Sequence, residues 1–138
     1  MAGLFASMKF AIVVLSPPQA PSARRALRFC EALLASDHEL SRLFLYRDGV
    51  HNASHAVVSG QDETDLPALW RELIERHRID AVVCIAAALK RGLLDENEAR
   101  RYERDGAVNV RAPWQLSGLG QLHEAIQDAD RLLCFGGD

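Results

Sequence analysis

Apolar residues come in blocks along this chain, and the blocks switch between two periods. Phe10-Ala11-Ile12-Val13-Val14-Leu15 is a continuous apolar run with adjacent β-branched residues, the pattern of a strand covered on both faces. Ser16-Pro17-Pro18-Gln19-Ala20-Pro21 ends it, because prolines can continue neither a ladder nor a helix interior. Ser22 reads as the N-cap of a helix reaching Ser36, along which Ala26, Leu27, Cys30, Leu33 and Leu34 recur at helical spacing. Leu40 to Tyr46 predicts the second strand, followed by Arg47-Asp48-Gly49-Val50-His51-Asn52-Ala53, with a turn signal at Asp48-Gly49, and a polar stretch to Asp65. Thr64 is the expected cap of the next helix, with Leu66, Leu69, Trp70, Leu73 and Ile74 on its core face and Trp70 as packing.

The centre of the chain is Ile79-Asp80-Ala81-Val82-Val83-Cys84-Ile85-Ala86-Ala87-Ala88-Leu89-Lys90-Arg91-Gly92. It opens as a buried strand, becomes a run of good helix formers and stops at Gly92. Leu93 to Tyr102 predicts short helical turns, and Glu103 to Pro113 an irregular segment. Trp114 to Gly120 then leads into a helix over 121–128, with Leu122, Ala125 and Ile126 facing inward. Asp130 to Phe135 is the last strand, where Cys134 reads as core or, this near the C-terminus, as an accessible thiol. Strands alternating with helices predict a single-domain α/β three-layer sandwich. Its sheet is expected to be mostly parallel, with about four or five strands and helices on both faces. The domain is expected to span residues 8–138. Met8-Lys9 looks like a second possible start, which leaves 1–7 as an extension outside the fold.

Composition narrows the function more by exclusion than by assertion. With 49% hydrophobic and 25% charged residues, the 138-residue chain is ordinary globular material for one domain. A formal net charge of -3 gives no overall basic footprint for nucleic acid, so no direct nucleic-acid contact is expected. No apolar run approaches a membrane span, so no membrane contact is expected either. The three cysteines, at 30, 84 and 134, form no CxxC pair, which argues against a disulfide framework and for reduced thiols in a cytoplasm. Neither GxGxxG nor GxxxxGK[ST] occurs, and the five histidines lack ligand spacing, so neither a cofactor nor a metal is expected.

The candidate chemistry is therefore a thiol. Cys84 sits where a strand gives way to a helix, near the first free N–H groups of the turn, a position that favours a thiolate. The carboxyl ends of strands in such sheets are where chemistry collects. Arg47, Asp48, His51 and Asn52 fall on the same edge if the strands are parallel, where they are either site residues or a plain solvated polar loop. From the residues alone, Cys84 is either reactive or an inert core cysteine. His51 or His123 could approach it in the fold, and Lys90 and Arg91 either curl back toward it or are solvated surface. Cys30 reads as core.

Four segments together resemble the DsrE family: Met8 to Val14, Phe44 to Val50, Val83 to Gly92, and Leu116-Ser117-Gly118-Leu119-Gly120-Gln121-Leu122. The resemblance covers Met8 to Phe135. It implies a sulfurtransferase whose persulfide-carrying cysteine falls on Cys84. It also implies a TusA-like sulfur donor, a TusE-like acceptor serving 2-thiolation of the wobble uridine of tRNA, and TusB-like and TusC-like subunits in a heterohexamer, a dimer of trimers. Two alternatives stay open: a DsrE-type subunit of a sulfur-oxidation complex, and a scaffold or binding subunit with an idle Cys84. Partners are expected to dock on loops 47–64 and 103–117, because an incoming persulfide must reach Cys84.

Overall fold

A computed structural model describes residues 6–137. Its strands are β1 (Lys9–Val14), β2 (Glu39–Leu45), β3 (Ala81–Cys84), β4 (Gln115–Ser117) and β5 (Arg131–Phe135). Its α-helices are α1 (Pro21–Leu34), α2 (Leu66–His77), α3 (Ile85–Lys90), α4 (Glu96–Arg101) and α5 (Leu119–Asp128), with a 3₁₀ segment over Arg47–Ala53. The strands form one five-stranded sheet in the order β4-β3-β2-β1-β5, and every pairing is parallel.

Handedness then decides which helix lies where. The chain steps from β1 to β2 to β3 in one direction across the sheet, so right-handed crossovers put α1 and α2 on one face. From β4 it returns across the sheet to β5, so the same handedness puts α5 on the other. Side-chain contacts agree. Phe29 of α1 meets Phe10 edge-on at 6.0 Å and Phe135 at 5.7 Å. On the opposite face, Arg42 donates from Nη1 to the Gln121 carbonyl of α5 at 2.9 Å and pairs through Nη2 with Asp80. The core fills both sides of β1, β2 and β3: Ile12, Val14, Leu43, Leu45 and Val83 toward α1 and α2, and Val13, Phe44 and Val82 toward α5. Cys30 and Trp70 are fully buried against it, as their spacing predicted.

Several expectations change. Ser22 is not the N-cap of α1. Ala20 takes that position with Pro21 in the first turn, where its missing N–H costs nothing, and the Ser22 hydroxyl bonds Ser16 Oγ instead at 2.6 Å. Asp65, not Thr64, caps α2, accepting from the Ala68 N–H. Gln115–Ser117, read as a lead-in to a helix, is an edge strand; three residues are too short to show a period. Leu69 and Ile126 are exposed. Cys134 is exposed rather than core, because α5 alone covers its face of the sheet and leaves edge strand β5 open there, with Leu132 39% exposed beside it. Residues 1–5 of the expected extension lie outside the described residues. Ser7 donates its hydroxyl to the Asp37 carbonyl at 2.8 Å, and the Met8 N–H bonds His38 Nδ1 at 3.0 Å.

The polar stretch after β2 begins as ordered structure. The Tyr46 N–H bonds the Val14 carbonyl at 3.0 Å, and the Gly49 N–H turns back to the Tyr46 carbonyl at 2.9 Å. This packs Gly49 onto the end of β1 so closely that a Cβ there would stand 1.9 Å from the Val14 carbonyl oxygen. Backbone cannot yield as a flexible side chain can. Gly49→Ala is expected to cost about 3 kcal/mol or more in unfolding free energy, measured by urea denaturation.

Candidate functional site

Because the sheet is all parallel, the carboxyl ends of its strands share one edge. Cys84 ends β3 there and is also the N-cap residue of α3, with φ -60° and ψ 116°. Its register partner on β4 is Ser117, so both side chains occupy the face that α5 covers, immediately before Gly118 opens α5. The thiol is 1% exposed and makes no capping hydrogen bond. Helix α3 packs against β3, β4 and the 3₁₀ segment. Cys84 is thus enclosed where three chain segments meet.

The 3₁₀ segment carries the residues expected near Cys84, but with different duties. Asn52 is fully buried rather than part of a solvated loop. Its Nδ2 donates to the Ser16 and Gly49 carbonyls, each at 2.9 Å, and its Oδ1 accepts from Trp70 Nε1 at 3.2 Å. One side chain therefore ties the loop after β1, the 3₁₀ segment and α2 together. Asp48 points outward and accepts from Arg91 Nε at 2.8 Å, while Arg91 Nη1 donates to the Ala87 carbonyl at 3.0 Å. The hydrogen bond from Arg91, aided by its charge and that of His51, holds the Asp48 carboxyl below the usual carboxylate range. Arg91 thus spans from the cysteine-bearing helix to the loop after β2 instead of curling toward the thiol, and Lys90 is exposed. Neither His51 nor His123 hydrogen-bonds Cys84 among the described residues; His51 lies on the 3₁₀ segment near Asp48, and His123 is exposed on α5.

Sequence reasoning missed Ser117 as the neighbour of Cys84, the Asp48–Arg91 pair and the burial of Asn52. The last had a signal. Val50 and Ala53 are three apart, as in a 3₁₀ turn with one inward face, and Gly49 precedes them.

The remaining thiols differ sharply. Burial, with the Glu31 charge beside it, pushes Cys30 up to about 12, so it stays protonated and unreactive in the folded chain. Cys134 is open to solvent. Among the described residues, no three His, Cys, Asp or Glu side chains cluster closely enough to hold a metal ion, and no helix is long and apolar enough to cross a membrane.

The comparisons with known proteins meet this geometry along the whole domain. The model of the DsrE/DsrF-like family matches residues 8–135. A protein of Pseudomonas aeruginosa described as "Sulfurtransferase TusD homolog" is 70% identical over 131 residues, covering 95% of this chain and 99% of its own. "Putative sulfurtransferase DsrE" of Allochromatium vinosum is 43% identical, covering 94% and 99% respectively. "Sulfurtransferase TusD" of an Enterobacter species is also 43% identical, covering 93% and 100%. The crystal structure of the ychN protein from E. coli superposes with a TM-score of 0.71 over 94% of this chain and 100% of its own, at 18% identity, a likeness of fold. The chain belongs to the DsrE/DsrF-like family. Within that family its activity class is that of a sulfurtransferase.

Two outcomes are expected. Asn52→Ala leaves the Trp70 N–H and two carbonyls without their partner, and should lower unfolding free energy by about 2–4 kcal/mol in chemical denaturation. Under native conditions, iodoacetamide should label Cys134 first, Cys84 slowly and Cys30 only after unfolding, as read by mass spectrometry of the digested protein.

Proposed function

We propose that Cys84 carries sulfane sulfur as a persulfide. The observation that supports this best is its place at the carboxyl end of β3, at the head of α3, in a chain 70% identical to a protein described as a TusD homologue. In this reading the Cys84 thiolate attacks the outer sulfur of a donor persulfide. A new S–S bond forms on Cys84, the donor's S–S bond breaks, and the donor leaves as a thiolate that takes up a proton. Unloading repeats the step with an acceptor thiolate attacking the outer sulfur held on Cys84. No net oxidation occurs, so the relay needs neither a metal nor a redox cofactor.

The donor is a TusA-like protein and the acceptor a TusE-like protein, and the sulfur is destined for 2-thiouridine at the tRNA wobble position. TusB-like and TusC-like subunits complete a heterohexamer with this chain in the cytoplasm, where thiols stay reduced. Donor and acceptor approach over loops 47–64 and 103–117. Residues 8–138 act as one domain, with 1–7 outside it.

A second reading is favoured by one observation: the DsrE of Allochromatium vinosum is as similar, at 43%, as the TusD of Enterobacter. It would place the same thiol chemistry in a sulfur-oxidation complex, and neighbouring genes for a dissimilatory sulfite reductase would favour it. A third keeps Cys84 idle in a scaffold and draws on its burial.

Incubation with a persulfidated TusA-type donor, partner subunits present, should add one sulfur atom to the intact mass of the wild type and none to Cys84→Ser. No gain on the wild type would put the scaffold reading first.

A further inference from the structure

Cys84 is 1% exposed, yet sulfur exchange requires it to meet the sulfur of another protein. The enclosing segments are not held equally. The 3₁₀ segment is fixed from beneath by the three buried hydrogen bonds of Asn52 and by the contact of Gly49 with the Val14 carbonyl. Helix α3 is short, six residues, and only Ala87 and Ala88 of it are buried. Among the described residues, the side-chain hydrogen bond that ties the end of α3 to the rigid segment runs from its C-cap residue Arg91 to Asp48, at a carboxylate 61% exposed. An exposed ion pair is weak and salt-sensitive. This one closes the last turn of the helix whose first turn begins at Cys84.

We propose that Asp48 and Arg91 are positioning residues for sulfur exchange at Cys84: their ion pair clasps α3 against the Arg47–Ala53 segment and sets how far the thiol is open to an incoming sulfur. With the clasp closed, the peptide following Cys84 stays packed against its neighbours and the thiol is shielded from small oxidants and alkylators. With it open, α3 swings on the Cys84–Ile85 peptide, and the sulfur end becomes reachable while the Asn52-bound frame stays in place. Arg91 suits the role because its fork engages Asp48 and the Ala87 carbonyl at once, so the side chain is held to its own helix as it reaches across. The inference builds on Cys84 as the sulfur carrier, but its physical content, control of access to Cys84, can be measured without any transfer.

The test is the rate of iodoacetamide labelling at Cys84 in the full chain, located by mass spectrometry after digestion. Asp48→Asn and Arg91→Gln should each label Cys84 several-fold faster than wild type at low salt. Asp48→Glu, which keeps the charge, should return the rate close to that of wild type. Raising salt from about 0.01 to about 1 M shortens the screening length from about 30 to about 3 Å and should speed wild-type labelling severalfold. Asp48→Asn should show no such salt dependence, a distinction that general loosening of the fold would not produce. Equal rates in wild type and Asp48→Asn, or a salt dependence that survives in Asp48→Asn, would overturn the clasp. A parallel incubation with the persulfidated TusA-type donor, partner subunits present, separates the two ideas. If labelling follows the clasp but no sulfur ever appears on wild-type Cys84, the clasp stands and the relay reading falls.

Discussion

Right-handed crossover between parallel strands is the constraint on which this molecule depends. It sends β1, β2, β3 and β4 outward in one direction and brings the chain back to β5 through a helix on the opposite face. Every strand consequently ends at the same edge, and the segments leaving β1, β2 and β3 become neighbours there although more than thirty residues separate them in sequence. Cys84 and Ser117, the Asn52 bonds and the Asp48–Arg91 pair all lie along that edge. The Cys84 thiol is one local group, while its surroundings are a product of topology.

Energetically the edge has two layers. Beneath lies a dry layer in which Asn52 satisfies groups from three segments; in such a place a lost partner is expensive because water cannot replace it. Above lies a wet layer, where Asp48 and Arg91 meet across a gap that solvent and salt can enter. If Cys84 carries sulfur as proposed, that division leaves the thiol both protected and reachable. The frame is held by buried bonds that are costly to break, and the covering helix is joined to it by an exposed ion pair that is cheap to break.

Much of this was legible in the sequence, and the limits have physical causes. Long apolar runs such as Phe10 to Leu15 and Ala81 to Cys84 declare buried parallel strands, and the alternation with amphipathic helices declares the layering. The strand–helix switch is legible too, since β3 ends at Cys84 and α3 begins at Ile85. Gln115–Ser117 was hidden because an edge strand of three residues has no period, and its identity comes only from pairing with β3. Cys134 was misjudged because Leu132 to Phe135 is as apolar as a central strand; only the count of helices on each face tells that one side of β5 is uncovered. The Asp48–Arg91 pair joins residues 43 apart in sequence, a contact that no local pattern encodes.

The close packing of Gly49 also divides the connection between β2 and α2 into two parts with different evolutionary freedom. From Tyr46 to Ala53 the chain is threaded against the end of β1 and locked by Asn52, so an inserted or deleted residue would drag the frame around Cys84 with it. From about 56 to 64 the backbone crosses the surface, with Val58 92% exposed, and carries no such bond to the sheet. Changes of length among distant members of the family should therefore gather in the second part and spare the first. The same boundary marks where a tag or a reporter loop could be spliced into this domain without disturbing the thiol.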